Sequence, residues 1–170
     1  DADKRIKVIG IENEEKTLNQ ALIILKDYKN RINFIKEDLL SGLKDVSSQS
    51  VDVFVAVLVI HNFSRKYRNQ LFSEVSRILK TGGLFINADK LARNKKTLHA
   101  KNLTNRIESF NLLDTLGRPD LKNEWTKHYL EDEKIKITEA EQIDNLQELG
   151  FSNITIRYRK ELEAIITAIR

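Results

Sequence analysis

Apolar stretches that close on a polar side chain alternate with stretches of helical periodicity along the first 90 residues. Four of the apolar stretches predict strands, near 6–12, 32–37, 51–59 and 83–88. Between the first two, apolar residues from Leu18 to Leu25 recur at helical spacing and predict an amphipathic helix over 14–28. Strands and helices that alternate in this way predict a doubly wound α/β sheet with parallel strands.

Local signals refine the ends and surroundings of these elements. Asn13 stands where a helix N-cap is expected, and Gly82 stands where a left-handed helix end is expected. The stretch from Val51 to Ile60 is almost entirely apolar, and Asp52 is its one charged residue. This composition predicts a strand that helices cover on both faces.

The last part of the chain departs from the alternation. Residues 91–136 are polar and too long for a plain crossover, so they predict a helical insertion. Thr138 and Glu141 form a capping box at the start of a further helix. Alternating apolar positions over 152–158 and 162–169 then predict an antiparallel hairpin at one edge of the sheet.

A polar side chain stands at the end of each of the four predicted strands. Glu12 ends the first strand and Asp38 follows the second, while His61 follows the third and Asp89 ends the fourth. The carboxyl ends of parallel strands share one edge, and open α/β sheets bind their ligands there. The sequence therefore predicts a ligand site among these residues.

The order of these strand ends, together with the terminal hairpin, resembles the class I S-adenosylmethionine-dependent methyltransferases, which have a Rossmann-like fold. The resemblance runs from that family's second strand to its end, without the family's first strand and Gly-rich cofactor loop. It implies that residues 1–170 form one N-terminally incomplete methyltransferase-like domain. It also implies that residues upstream of Asp1, or a second chain in an oligomer, supply the missing strand.

The same resemblance implies a site for S-adenosylmethionine along the first three strand ends. Glu12, with Asn13 beside it, would accept hydrogen bonds from the ribose hydroxyls of the cofactor. Asp38 would accept from the adenine amino group, and Leu39 would pack on the adenine ring. A backbone carbonyl near Val57 would receive the amino group of the methionine part.

The resemblance places the methyl acceptor near the ends of the third and fourth strands. His61 is a candidate general base, and a structural role is the alternative for it. Asp89 would border the pocket, and Trp125, His128 and Tyr129 would offer apolar walls with polar tips. We expect the insertion to form a helical cap that selects the acceptor, for which a small molecule is favoured over RNA or protein.

Composition narrows the class of protein further. At 170 residues with 41% apolar content the chain suits one domain, and a net charge of +4 does not by itself indicate nucleic acid. With no cysteine and three scattered histidines, no metal site is predicted. No apolar stretch reaches the roughly 20 residues of a membrane helix and no signal peptide is visible, so a cytoplasmic protein is expected.

Two other functions fit the same pattern. A noncatalytic binding or scaffold protein could keep this fold without methyl transfer. A nicotinamide-dependent oxidoreductase would share the acidic strand ends, but it would have a parallel sixth strand in place of the hairpin. Within the cofactor site, Glu37 is an alternative to Asp38 as the acid after the second strand.

Overall fold

The computed structural model describes residues 3–170. Within them the strands are β1 (Val8–Ile11), β2 (Ile32–Ile35), β3 (Val51–Val57), β4 (Leu79–Lys90), β5 (Ser152–Lys160) and β6 (Glu163–Ile169). The helices are α1 (Glu15–Ile24), α2 (Leu39–Lys44), α3 (Arg65–Ile78), α4 (Lys96–Ser109), α5 (Leu112–Thr115), α6 (Pro119–Asp132) and α7 (Glu139–Glu148).

The strands form two sheets. In the larger sheet, in the order β3-β4-β6-β5, β3 and β4 are parallel, and β6 pairs antiparallel with both β4 and β5. In the smaller sheet, β1 and β2 are parallel. The α/β class, the parallel strands and the terminal hairpin are thus confirmed. The hairpin also disagrees with the parallel sixth strand that a nicotinamide-dependent oxidoreductase would have.

Aromatic packing holds the helices against one face of the larger sheet. Phe85 on β4 lies between Phe54 on β3 and Phe72 on α3, with ring centroids 5.8 and 6.1 Å away. Phe151, just before β5, contacts the same ring at 5.9 Å. Because each buried phenylalanine side chain contributes on the order of 2–3 kcal/mol, this cluster fixes α3 and the β3–β4 pair as one unit.

The opposite face of β3 is open. Val53, Val55 and Val57 alternate with the buried Phe54 and Ala56, and their exposed fractions are 47, 57 and 58%. The prediction of a strand covered on both faces is therefore wrong within residues 3–170. The apolar composition is real, but α3 and α7 pack on the Phe54 face.

The outer edges of β1 and β3 are also free. Among residues 3–170, β1 pairs with β2 and β3 pairs with β4, and no strand joins the other edge of either one. A free parallel edge leaves backbone N–H and C=O groups without sheet partners. The resemblance in sequence places the missing first strand between the free edges of β1 and β3, and we call this position the gap between the two sheets.

Two predicted helix ends are corrected by the structure. The N-cap of α1 is Glu14, whose carboxylate accepts from the backbone N–H groups of Lys16 and Thr17, so Asn13 is not the cap. Gly82 has a left-handed φ of 79° as predicted, but it lies inside β4. Helix α3 ends at Ile78 and β4 begins at Leu79, with no loop between them.

The insertion at 91–136 is helical, as predicted, and contains α4, α5 and α6. The capping box that follows is confirmed, since the Thr138 hydroxyl accepts from the Glu141 N–H at 3.1 Å. In the part of the chain that the structure describes, no helix is long and apolar enough to cross a bilayer. The cytoplasmic location stays a prediction.

Candidate functional site

A carboxylate–tyrosine contact shows that the two sheets present their carboxyl ends on the same side. Asp38 follows β2, and Tyr67 lies in the first turn of α3, which follows β3. The Tyr67 hydroxyl donates to Asp38, with both carboxylate oxygens 2.8 Å away. The same hydroxyl oxygen accepts from the Leu40 N–H at 2.9 Å. The ends of β2 and β3 therefore face one common edge.

Tyr67 is held in its neutral form at this edge. Burial, and then the hydrogen bond to Asp38, raise the pKa of Tyr67 to about 12. Its ring also stacks on Phe63, with centroids 4.2 Å apart. Tyr67 thereby fixes the position of a carboxylate that the sequence predicts to meet adenine. Sequence reasoning missed Tyr67 because its spacing marks it as one more apolar residue of α3.

Asp38 has hydrogen-bonding capacity left. Its Oδ1 caps α2 by accepting from the N–H groups of Leu40 and Ser41, at 3.1 and 3.4 Å. A carboxylate has about four acceptor positions, and Tyr67 is the one partner that the described residues give to Oδ2. The neighbouring Leu39 is partly buried and packs on the core. Glu37, the alternative acid, is exposed.

The other three predicted cofactor residues are more open. Glu12 accepts from the Glu14 N–H at 2.8 Å, and its side chain has no other hydrogen-bond partner within residues 3–170. Asn13 is exposed. Val57 ends β3 beside the gap, with 58% of its surface exposed. Glu12 and Asn13 are neighbours in sequence, and within residues 3–170 no hydrogen bond joins either side chain to Val57.

The ends of β3 and β4, in contrast, are joined by a buried pair. The Asp89 carboxylate is 2.5 Å from His61 Nδ1, and it also accepts from the backbone N–H groups of His61 (3.0 Å) and Lys90 (2.8 Å). The side chain of Asp89 is fully buried. His61 Nδ1 therefore faces Asp89, and Nε2 lies on the opposite side of the ring.

A strained turn brings His61 to this position. Leu58, directly after β3, has a φ of 53°, which is unusual for a residue with a side chain. Its N–H donates to the carbonyl of Ala88 at 2.9 Å, and a short 3-10 turn follows over Ile60–Asn62. After this turn, both the backbone N–H and the ring of His61 lie within hydrogen-bond distance of Asp89.

The last turn of α6 closes over the same place. Asp132 Oδ2 lies 4.0 Å from His61 Nε2 and 3.5 Å from His128 Nε2, and it forms an ion pair with Lys90. The Lys90 ammonium also lies 4.4 Å from the centre of the Tyr129 ring. Burial raises the pKa of Tyr129. The helical insertion therefore contributes charged and aromatic groups to the carboxyl edge of the sheet.

These groups surround a small cavity of about 30 Å³. Its walls are His61, Lys90, Leu91, His99, Tyr129, Asp132, Glu133, Lys136 and Leu162. His99 Nε2 lies 2.8 Å from Glu133, which also pairs with Lys136 at 2.7 Å. All three histidines of the chain thus meet acidic side chains at the end of α6, although they are far apart in sequence.

The structure brings together most of the predicted acceptor residues. His61, Asp89, His128 and Tyr129 lie around the cavity or beside it. Trp125 is outside it, 46% exposed, with its ring 5.6 Å from that of His128. Sequence reasoning missed Asp132 and His99. The spacing of four residues between His128 and Asp132, which puts both on one helix face, was the available signal.

Several solved structures share the fold of this chain. A possible exported protein from Bordetella parapertussis has a TM-score of 0.68 at 17% identity, over 96% of this chain and 53% of that chain. The structure described as PigF with SAH has a TM-score of 0.62 at 16% identity, over 97% of this chain and 48% of that chain. The CurJ carbon methyltransferase has a TM-score of 0.63 at 16% identity, over 96% of this chain and 41% of that chain. This chain spans about half the length of these proteins, which share the Rossmann-like methyltransferase fold.

The chain belongs to the methyltransferase domain family, because the model of that family matches residues 2–87, half of the sequence. This match confirms the resemblance to class I S-adenosylmethionine-dependent methyltransferases. A comparison with curated protein sequences finds no match.

Proposed function

We propose that the complete protein transfers a methyl group from S-adenosylmethionine to a small-molecule acceptor. The observation that carries this proposal is the common edge at which acidic strand ends stand beside the buried His61–Asp89 pair. The sulfonium of the cofactor already activates the methyl group, so the protein's main task is to hold the acceptor in line with it. S-adenosylmethionine would supply the methyl group to a nucleophile of the acceptor, and a residue of the protein or solvent would take the proton that the acceptor loses.

The cofactor would lie along the ends of β1, β2 and β3. Glu12, beside Asn13, would accept from the ribose hydroxyls with the oxygens that the described chain leaves free. Asp38 Oδ2 would accept from the adenine amino group while Leu39 packs on the ring. The backbone carbonyl near Val57 would receive the amino group of the methionine part.

A further parallel strand would complete this half of the site. Within residues 3–170, β1 and β3 each have one free edge, and a strand inserted between the two sheets would pair with both. Residues upstream of Asp1 or a second chain would supply it, with a glycine-rich turn that lets backbone approach the cofactor. The exposed face of Val53, Val55 and Val57 supports this, because accompanying residues could cover it.

The acceptor would approach from the insertion, which acts as a cap over the carboxyl edge. His61 Nε2 is the candidate proton acceptor, since Asp89 holds the ring with that nitrogen facing the cavity. Tyr129 and the stem of Lys90 supply apolar surface, and Trp125 lies at the rim.

Binding and turnover assays on the complete domain test this function. Calorimetry should detect S-adenosylmethionine binding, and His61→Gln should lower methyl transfer by about 10²–10⁴-fold, the range for general-base catalysis, with cofactor affinity unchanged. Lys101→Gln is the control, because Lys101 is exposed on α4 and does not line the cavity. Unchanged turnover in His61→Gln would remove His61 from catalysis.

A noncatalytic binding protein of the same fold is the second candidate. If the N-terminally extended protein binds no S-adenosylmethionine in calorimetry, the methyltransferase proposal fails and this candidate replaces it.

A further inference from the structure

Three ligand atoms of metal-binding type converge above the end of β4. His61 Nε2, His128 Nε2 and an oxygen of Asp132 all lie within 4.8 Å of one another. Two of these separations are 3.5 Å, from His128 to Asp132, and 4.0 Å, from His61 to Asp132. Ligands about 2.1 Å from a tetrahedral ion are about 3.4 Å apart. Small side-chain movements would therefore bring all three atoms onto one ion.

The type of ligand indicates which ion would fit. Two imidazoles and one carboxylate are the ligands of several catalytic zinc sites, in which a fourth position stays open. Mg²⁺ and Ca²⁺ prefer oxygen ligands throughout. The set in this chain therefore matches a divalent transition metal with nitrogen affinity.

The surroundings already orient two of the ligands. Asp89 holds His61 Nδ1 at 2.5 Å, and a carboxylate on the second ring nitrogen is the usual support of a histidine that binds metal. It fixes the ring so that Nε2 faces Asp132. His128 and Asp132 are four residues apart on α6, so they project from the same face of the helix.

We propose that His61, His128 and Asp132 bind one divalent transition metal ion, with an open position toward the cavity. This inference rests on the proposed function and deepens it: the ion would coordinate the oxygen or nitrogen of the acceptor and favour loss of its proton. His61 would then act as a ligand of the ion and not as the proton acceptor, and the proton released by the coordinated acceptor would pass to solvent.

Lys90 gives the proposal a distinctive consequence. Its ammonium pairs with Asp132, so it neutralises the carboxylate that the ion would use. Metal binding must displace that ammonium, and Lys90 lowers the affinity for the ion by competition. Lys90→Met keeps an apolar stem beside Tyr129 and removes the charge. This change should tighten metal binding, whereas loss of a ligand should weaken it.

The test is titration of the full chain with Zn²⁺ by calorimetry and with Co²⁺ by visible absorption. We expect one Zn²⁺ per chain, a Co²⁺ spectrum typical of low coordination number, and no comparable binding of Mg²⁺. His128→Gln and Asp132→Asn should weaken Zn²⁺ binding more than about tenfold. Both side chains reach solvent, so these variants should fold. Lys90→Met should tighten binding severalfold, and the control His99→Gln should leave it within twofold.

Three outcomes would overturn the proposal. Zn²⁺ affinity that is equal in wild type, His128→Gln and Asp132→Asn would put the ion elsewhere. If Lys90→Met binds Zn²⁺ as tightly as the wild type or more weakly, Lys90 does not compete with the ion for Asp132. Methyl transfer by the complete protein that persists after chelation would exclude a role of the ion in the reaction, yet leave the methyltransferase proposal intact. The proposed function fails instead by absence of S-adenosylmethionine binding, which the Zn²⁺ titration does not measure.

Discussion

The two pairs of parallel strands end in very different surroundings. At the end of β3 and β4, Asp89 is fully buried and accepts from three N–H groups of His61 and Lys90. At the end of β1, Glu12 accepts from one backbone N–H, and the strand itself is four residues long with a single partner. β4 is twelve residues long and pairs on both sides.

This difference indicates that the two halves of the proposed site depend on different parts of the protein. The acceptor half depends on contacts within residues 51–163 and is formed by the described chain itself. The proposed cofactor half contains Glu12 and Asp38, but within residues 3–170 no strand pairs with the free edges of β1 and β3. Preorganisation of the acceptor half should therefore be measurable on this chain alone, while the cofactor half should gain its affinity when the gap is filled.

The largest effect should come from removing the buried carboxylate. Asp89→Ala leaves buried donors without a partner, and we expect it to lower the free energy of unfolding by about 3 kcal/mol or more. Asp38→Ala removes a helix cap and the Tyr67 contact, and it should lower the free energy of unfolding by about 1–2 kcal/mol. Urea denaturation measures both values. Asp38→Asn, which can still cap α2, is the control. Equal losses in the two alanine variants would erase the contrast between the two strand ends.

A second prediction concerns the cofactor half in the complete domain. Glu12→Ala should weaken S-adenosylmethionine binding by about 1.5–3 kcal/mol, the range for hydrogen bonds to a charged group. Glu15→Ala, on the exposed first turn of α1, should change the affinity little. Calorimetry on both variants makes the comparison. If Glu12→Ala binds as tightly as the wild type, Glu12 is not part of the site.

The smallest predicted effect is an alkaline one, at the contact between the two sheets. The pKa of Tyr67 is about 12 in the folded protein and about 10 in an unfolded chain. Stability from this group is therefore complete below about pH 10 and is lost as the pH rises toward 12. Because solvent partly screens this group, we expect the free energy of unfolding to fall by about 1 kcal/mol over this pH range.

Urea denaturation between pH 8 and 12 measures this loss. Tyr67→Phe should remove the pH-dependent part that wild type shows in this window, and Tyr28→Phe, at an exposed position, should retain it. An identical pH profile in wild type and Tyr67→Phe would mean that the hydroxyl does not link the two sheets.

Local pattern was sufficient for much of the fold. The period of two in the tail predicted β5 and β6, and the Thr138 capping box predicted α7, because both signals depend on neighbouring residues. The exposure of Val53 and Val55 could not be predicted in this way. An apolar residue shows that a position suits burial, but it does not show which part of a protein covers it.

In the candidate site too, local sequence predicted some features, and others depend on tertiary packing. His61 and Asp89 were predicted as strand-end residues, because the end of a strand is visible in sequence. Their direct contact depends on the left-handed turn at Leu58, for which the sequence has no glycine signal. The approach of Asp132 depends on how the whole insertion packs, and that is a tertiary property. Assignment of Glu12, Asn13, Asp38, Leu39 and Val57 to the cofactor stays a prediction.

The direct junction between α3 and β4 has an evolutionary consequence. Because Ile78 ends the helix and Leu79 begins the strand, a residue inserted between them would rotate the helix by about 100°. Alternatively it would shift β4 by one position and turn Phe85, Asn87 and Asp89 to the opposite face. Neither change leaves both the aromatic cluster and the His61 contact intact. Homologous genes should therefore tolerate gains and losses of codons in the insertion after Lys90, and keep a constant length from Arg65 to Asp89.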